Sequence, residues 1–324
     1  MMNHSLKSQC KVNPGTVIEG KWHRSRYTIV KELGYGANGI VYLAKNQNQQ
    51  VALKMSDNGM SITSEVNVLK SFAKVQGSAL GPSLLDVDDW ERRSGKVSFY
   101  VMEYIQGPDL LTFIQQKGPS WTGVLIVQLL NDLDALHKAG WVFGDLKPDN
   151  LIVTGPPSRI RTIDVGGTTI QGRAIKEFTE FYDRGYWGLG TRKADPAYDL
   201  FAAAMILINT AYPKRFAKTT GDLKQLKLMV RQKKELLKYE DVILNALQGQ
   251  YSSAGEMKND MLQLTRTNPA QRSTSRNSGQ TASPQPVSRQ MNRQRKQKGS
   301  FFETLLITLI VTVLYFLYIY GQLL

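Results

Sequence analysis

The chain has 324 residues, of which 42% are hydrophobic and 21% charged, which suffices for one catalytic unit of about 250 residues with an appendage. This composition excludes a wholly disordered protein. A single cysteine, Cys10, excludes an intrachain disulfide bond, and three scattered histidines argue against a metal site built from imidazoles. Any metal ion should therefore be held by oxygen ligands.

The first predicted elements are short antiparallel strands. Alternating apolar runs at residues 27–30, 40–43 and 51–53, separated by glycine or Asn/Gln turns, predict a small N-terminal sheet. Two of these strands flank the glycine-rich run at residues 34–41, where glycines allow backbone amides to approach phosphates closely. Alone this signal is weak, because a glycine hairpin needs no ligand.

Lys54 is the first candidate catalytic side chain, at the end of the strand Val51-Ala52-Leu53-Lys54. A lysine in a half-buried strand needs an anion, and the α- and β-phosphates of ATP would supply one. It also needs a carboxylate to orient it, and Glu65 is the only acidic residue on a predicted helix at residues 64–72. The separation of 11 residues is short, so a solvated helix glutamate is the alternative interpretation.

A second constellation follows a helix that is predicted by apolar residues from Ile126 to Leu136 and ended by Gly140. In the run at residues 144–150, Asp145 can accept a substrate hydroxyl proton, Lys147 can neutralise the transferred phosphoryl group, and Asn150 can ligate Mg²⁺. Asp164 ends a later strand and offers a second oxygen ligand. This order and spacing of motifs is the strongest signal in the sequence.

The rest of the folded domain is predicted to be helical. Residues 200–208 form an almost unbroken apolar run, too short to span a bilayer and typical of a central helix. Ser253 and Glu256 have the spacing of a capping box, which opens a last amphipathic helix through Leu264. The folded domain should end near Thr265.

The C-terminal part is of a different kind. Residues 266–300 are polar and basic and cannot bury a core, which predicts a disordered linker. Residues 304–324 carry no charge and as a helix would extend roughly 31 Å, which spans a bilayer core. A buried core helix is the alternative. Because basic residues precede this segment and no secretory signal is present, we expect a single-pass cell-membrane protein with a cytoplasmic catalytic domain.

These motifs resemble eukaryotic-like bacterial serine/threonine protein kinases over about residues 14–265. The resemblance implies an α+β bilobal fold in a kinase domain at residues 1–265, with a small β-rich N-lobe at about 14–103 and a larger helical C-lobe at about 107–265. A juxtamembrane linker at 266–303 and a transmembrane helix at 304–324 would follow. The implied cofactors are ATP and Mg²⁺, with Mn²⁺ as an alternative metal.

The family resemblance also assigns residues. It implies a catalytic set of Asp145, Lys147, Lys54 and Glu65. It implies an ATP-binding set of Gly34, Tyr35, Gly36, Gly39, Val41, Ala52, Lys54, Met102, Glu103, Ile105 and Asp109. Here Met102 would be the gatekeeper, the backbone of Glu103 and Ile105 would face adenine, and Asp109 would reach the ribose. The metal ligands would be Asn150 and Asp164, and Asp199 would be a buried anchor at the start of the central helix.

Several residues depart from the family pattern. Phe143 and Gly144 replace the usual His-Arg pair, which puts regulation by loop phosphorylation in doubt. Val165 replaces the usual phenylalanine, and no Ala-Pro-Glu motif closes the segment before Pro196. Four threonines in this segment are candidate autophosphorylation sites, although each is more simply an ordinary loop residue: Thr168, Thr169, Thr179 and Thr191.

Alternative functions remain open at this point. A Gly-Asp pair is also found in small-molecule and lipid kinases, against which Lys147 argues, and an ATP-binding pseudokinase scaffold would normally have lost one of the key residues. The expected partners are protein substrates, the kinase itself and the membrane. The basic tail could bind anionic lipid or DNA through Arg289, Arg293, Arg295, Lys296 and Lys298. A second basic region at residues 214–238 could be a solvated face or extend this polyanion-binding surface.

Overall fold

Six antiparallel strands form the sheet of the N-terminal lobe. They are β1 Val17–Glu19, β2 Arg26–Gly36, β3 Gly39–Asn46, β4 Gln49–Ser56, β5 Leu84–Arg92 and β6 Gly95–Glu103. Their order in the sheet is β1-β2-β3-β4-β6-β5. The computed structural model describes residues 10–36, 38–74, 81–93, 95–220 and 222–266. The three predicted strands are confirmed, and the glycine-rich run forms the hairpin in which Gly36 pairs with Gly39.

One helix, α1 at Gly59–Phe72, packs against this sheet. It begins five residues before the predicted start because Asn58 caps it, with the side-chain oxygen accepting hydrogen bonds from the amides of Met60 and Ser61 at 3.1 and 3.3 Å. The buried face of α1 includes Glu65. The Asn58 cap therefore sets where α1 begins, and Glu65 lies on the face of the helix that is buried in the lobe.

Helices dominate the C-terminal lobe. They are α2 Leu110–Lys117, α3 Ser120–Lys138, α4 Pro196–Ala211, α5 Leu223–Arg231, α6 Lys234–Leu237, α7 Glu240–Leu247 and α8 Ala254–Arg266. Helix α4 is the predicted central helix and is buried from Tyr198 to Asn209. Two small antiparallel pairs complete the lobe, β7 Trp141–Val142 with β10 Thr169–Ile170 and β8 Leu151–Thr154 with β9 Arg159–Thr162. The architecture is the expected α+β arrangement of a β-rich and a helical lobe.

The N-terminus of α8 follows the predicted capping box only in part. The Ser253 hydroxyl accepts a hydrogen bond from the amide of Glu256 at 3.2 Å, as expected. The Glu256 carboxylate, however, accepts from the amide and hydroxyl of Ser252, both at 2.8 Å. The reciprocal bond is thus shifted by one residue.

The membrane prediction concerns residues beyond this fold. Within the described ranges, no helix is both long and apolar enough to cross a bilayer. The predicted span at 304–324 and the basic tail lie outside the described residues, as does the predicted linker apart from Arg266, which ends α8.

Candidate active site

A cleft with a cavity volume of about 380 Å³ lies between the two lobes. The predicted residues that line it are Gly34, Tyr35, Gly36, Gly39, Val41, Ala52, Lys54, Met102, Glu103, Ile105, Asn150 and Asp164. Asp109 is not among the described lining residues. Its carboxylate caps α2 by accepting hydrogen bonds from the Thr112 amide at 2.9 Å and hydroxyl at 2.7 Å, so the ribose contact stays a prediction.

Lys54 and Glu65 form a buried ion pair inside the N-terminal lobe. The Lys54 ammonium lies 2.6 Å from the Glu65 carboxylate, which also accepts a hydrogen bond from the Tyr100 hydroxyl at 2.8 Å. Burial, followed by the negative charge of Glu65, raises the pKa of Tyr100 well above its ordinary value. The 11-residue separation is therefore sufficient for the pairing. Sequence reasoning missed Tyr100, which carries no motif.

The segment joining the lobes is clamped by a second carboxylate. The Glu103 side chain accepts hydrogen bonds from both terminal nitrogens of the Arg161 guanidinium and from the amide of Ser83. The Arg161 hydrogen bond, opposed by partial burial, lowers the pKa of Glu103. Glu103, a predicted hinge residue, thus links β6 to β9. No sequence motif predicts this contact.

The loop that carries Asp145 is held by hydrogen bonds to Asp199, the predicted buried aspartate. Its two carboxylate oxygens accept hydrogen bonds from the amides of Phe143 and Gly144 at 2.7 and 2.9 Å. His137 Nε2 lies 2.8 Å from the same carboxylate. Because α4 is buried, this contact fixes the loop relative to the core of the lobe.

Asp145 lies in a polar cluster with Lys147 and Thr179. The Lys147 ammonium donates to Asp145 Oδ2 and lies 3.3 Å from the Thr179 hydroxyl oxygen. The Thr179 hydroxyl donates to Asp145 Oδ1 at 3.0 Å. Both oxygens of Asp145 are thereby oriented. Thr179 is a candidate phosphorylation site by sequence, and no motif distinguishes it there from the other three threonines.

Asn150 and Asp164 offer the oxygen donors that a hard divalent cation prefers. The Asn150 amide nitrogen donates to the Asp145 carbonyl at 3.1 Å, which leaves its oxygen available as a ligand. Asp164 Oδ1 accepts from the amide of Gly166 at 3.0 Å. Both residues line the cleft, so this donor set fits Mg²⁺ or Mn²⁺.

Glu177 is an unpredicted carboxylate in the same cleft. It accepts a hydrogen bond from Asn38 at the tip of the glycine hairpin. Burial and the charge of Asp164 raise the pKa of Glu177. This contact joins the glycine hairpin to the activation segment, which we define as residues 164–195. No sequence motif predicts it.

The departure at Gly144 has a steric reason. Gly144 has a φ of +86°, and a Cβ there would lie 2.6 Å from the carbonyl oxygen of Gly167. The backbone of the catalytic loop therefore packs directly on the start of the activation segment. An arginine at this position would require the two segments to separate.

The missing Ala-Pro-Glu motif is replaced by a network around Asp183. This buried carboxylate accepts hydrogen bonds from the amides of Gly185 and Tyr186, from the Tyr198 hydroxyl and from the guanidinium of Arg192. Burial and the charge of Asp183 raise the pKa of Tyr198 well above its ordinary range. The end of the activation segment is thus fixed to α4 without the family motif.

Accessibility separates the four candidate threonines. Thr168 and Thr169 are buried, at 0% and 1% exposure, and cannot accept a phosphoryl group in this conformation. Thr179 is half-buried and engaged by Asp145, whereas Thr191 is exposed.

Comparisons with known proteins agree with this geometry. Residues 27–282 match the protein kinase domain, so the chain belongs to the protein kinase family and is a serine/threonine protein kinase. The chain is 53% identical over 338 residues to the serine/threonine-protein kinase YabT of Bacillus subtilis (strain 168), with 98% of each chain covered. It is also 30% identical over 154 residues to the serine/threonine-protein kinase ppk31 of Schizosaccharomyces pombe, covering 43% of this chain and 14% of that protein.

Proposed function

We propose that this kinase transfers the γ-phosphoryl group of ATP to serine and threonine hydroxyls of proteins, itself included, in a reaction that requires Mg²⁺ or Mn²⁺. The observation that carries the proposal is the convergence of the Lys54–Glu65 ion pair and the cluster around Asp145 on one cleft. A pseudokinase would be expected to lack part of this set.

The chain's own groups have separate tasks in this reaction. Glu65 holds Lys54 where its ammonium can bind the α- and β-phosphates of ATP. Asp145 accepts the proton of the acceptor hydroxyl, and Lys147 balances negative charge on the transferred group. The Thr179 hydroxyl keeps one oxygen of Asp145 in place through a 3.0 Å hydrogen bond.

Asn150 and Asp164 would hold the metal ion through side-chain oxygens. A divalent ion, when bound, neutralises phosphate charge and orients the phosphoryl group for in-line transfer. The clamp between Glu103 and Arg161 keeps the hinge backbone beside the adenine site, while the walls of Val41, Ala52 and Met102 supply an apolar surface for the base.

The test is label transfer from γ-labelled ATP by the full chain with and without Mg²⁺ or Mn²⁺. Lys54→Ala and Asp145→Ala should each reduce label on protein by at least about 100-fold. Lys45→Ala, an exposed lysine on β3, and Asp241→Asn, an exposed aspartate on α7, serve as charge-matched controls. Label that reaches a metabolite or lipid but no protein would favour the small-molecule kinase, and nucleotide binding without transfer would favour the scaffold.

We further propose that residues 304–324 anchor the kinase in the cell membrane and leave its catalytic domain in the cytoplasm. The support is the uncharged segment of 21 residues and the basic residues that precede it. The full chain should sediment with membranes and resist a high-salt wash, whereas a chain ending at Gly299 should not. Equal partitioning of the two chains would contradict the anchor.

We also propose that the basic tail binds a polyanion, with DNA as a candidate regulator and anionic lipid as the alternative. The tail carries five basic residues between 289 and 298 and no carboxylate. Five to eight phosphate contacts predict a log-log salt slope of about −4 to −7 for DNA binding. A slope near zero, or activity unchanged by duplex DNA, would contradict a role for DNA.

A further inference from the structure

The loop after α4 places an arginine against the catalytic loop. Arg215 Nη2 lies 3.1 Å from the carboxylate of Asp149, in the turn that directly follows Lys147. The guanidinium carbon is also 5.0 Å from the centre of the Tyr182 ring and 5.9 Å from that of Phe181. Arg215 is thus exposed to solvent but oriented by these contacts beside the catalytic loop.

Lys218 is held against the activation segment in a similar way. Its ammonium donates to the backbone carbonyl of Tyr186 and lies 4.7 Å from the centre of that ring. Lys214 is exposed beside Arg215. We call these three residues, Lys214, Arg215 and Lys218, the basic rim.

Among the described residues, Arg215 is the member of the basic rim that has an ion-pair partner. Residues 214–220 contain the three cations and no acidic residue, and Arg215 already neutralises Asp149. Asp145 is paired with Lys147, Arg192 is paired with Asp183, and Asp222, the next acidic residue along the chain, caps α5. A peptide lying across Asp145 would therefore meet excess positive charge on the side of the rim.

We infer that the basic rim selects protein substrates that carry acidic side chains next to the phosphorylated serine or threonine. This inference rests on the proposed phosphoryl transfer at the same site. A nucleic acid is the less suitable ligand here, because three cations, one of them already paired, can make few phosphate contacts. A peptide that carries one or two carboxylates matches the small number of cations in the basic rim.

The test compares three serine peptides that differ only in flanking residues, which are glutamate, glutamine or lysine. Each is assayed for kcat/KM with the full chain and for binding by fluorescence anisotropy. The wild type should prefer the glutamate peptide to the lysine peptide by at least about tenfold, mainly through KM. Equal kcat/KM and equal affinity for the three peptides would overturn the inference.

Two variants move the preference in opposite directions. The double variant Arg215→Gln with Lys218→Gln should reduce the ratio of kcat/KM for the glutamate peptide to that for the lysine peptide by about three- to tenfold. Asp149→Asn removes the ion-pair partner of Arg215 and should increase this ratio by about threefold. Lys224→Gln with Lys234→Gln, exposed lysines on α5 and α6, is the matched control and should leave it unchanged. Melting temperatures identify any variant that fails to fold, in which case the wild-type ratio and Asp149→Asn decide.

The remaining outcomes are also decisive. If the double rim variant loses binding to a short DNA duplex but keeps its peptide preference, the rim belongs to nucleic acid and the inference is overturned. A complete lack of transfer to any peptide or to the kinase itself would instead count against the proposed function. The anisotropy ratios would still decide the peptide preference in that case.

Discussion

Glu65 in the N-terminal lobe and Asp183 in the activation segment are both buried carboxylates, but they have different roles. Glu65 binds one ammonium that faces the cleft, together with a tyrosine hydroxyl. Asp183 binds two backbone amides, a tyrosine hydroxyl and a guanidinium, which join the end of the activation segment to α4. One carboxylate orients a reacting group, and the other holds a backbone.

The largest expected effect separates these two carboxylates. Asp183→Asn replaces a buried carboxylate that accepts four hydrogen bonds, and bonds to a charged acceptor contribute about 1.5–3 kcal/mol each, so we expect a loss of about 3–5 kcal/mol in the free energy of unfolding. Glu65→Gln should cost less stability, because the ammonium of Lys54 lines the cleft and can be solvated there, but it should lower kcat/KM for ATP by about 100-fold. Urea unfolding and steady-state kinetics measure both. Equal loss of stability in the two variants would remove the distinction.

The next effect concerns the contact between the catalytic loop and the activation segment. Gly144→Ala should cost about 3 kcal/mol in stability, since its Cβ would lie 2.6 Å from a backbone oxygen. Gly140→Ala is the matched control, because Gly140 has the same φ of +86° but no atom within 4 Å of a Cβ. It should cost only about 1 kcal/mol. Equal melting temperatures of the two variants would show that the two segments can move apart at little cost.

A smaller effect is expected at Thr179, which acts through Asp145 as a positioning residue. Thr179→Val removes the hydroxyl that donates to Asp145 Oδ1, so kcat should fall by about tenfold with KM for ATP nearly unchanged. Thr179→Ser keeps the hydroxyl and should restore most of the rate. A valine variant with full activity, or a serine variant as impaired as valine, would contradict the positioning role.

The smallest effect lies in the N-terminal lobe away from the cleft. The hydrogen bond and charge of Asp86 raise the pKa of His23 above its ordinary value of 6.5. This pairing contributes stability that is fully present below pH 6.5 and is lost as the pH rises through the folded pKa. His23→Gln should therefore lower the melting temperature at pH 6 and hardly at pH 8.5. In an Asp86→Asn background the pH dependence of that difference should shrink to the part that Asp88, 3.8 Å from the imidazole, contributes.

Sequence reasoning recovered the residues that bind nucleotide and metal because their chemistry leaves local signals. Glycines at a phosphate-binding hairpin, a lysine inside an apolar strand and carboxylates at loop ends each conflict with their surroundings unless they have a ligand. Lys54, Asp145, Asn150 and Asp164 could be placed for this reason. Glu65 needed only the added observation that one acidic residue lay on the predicted helix.

The activation segment beyond Asp164 could not be predicted in the same way. Asp183 accepts from the amides two and three residues ahead, which is a local Asx pattern, but no spacing rule connects it to Tyr198 or Arg192. Thr179 and Glu177 gain their positions from folding of the segment over the catalytic loop and the glycine hairpin. Helix α1 began earlier than expected because the Asn58 cap outweighed the apolar pattern in setting its first residue.

The anchoring of the catalytic loop by Asp199 has a consequence for motion. The amides of Phe143 and Gly144 are bonded to a fully buried carboxylate on the most enclosed helix, so their hydrogens should exchange with solvent only when the whole lobe opens. The glycine hairpin is largely exposed along the cleft, and its amides should exchange far sooner. Nucleotide entry and exit can then proceed through fast local opening, while the acceptor for the substrate proton stays fixed over many turnovers.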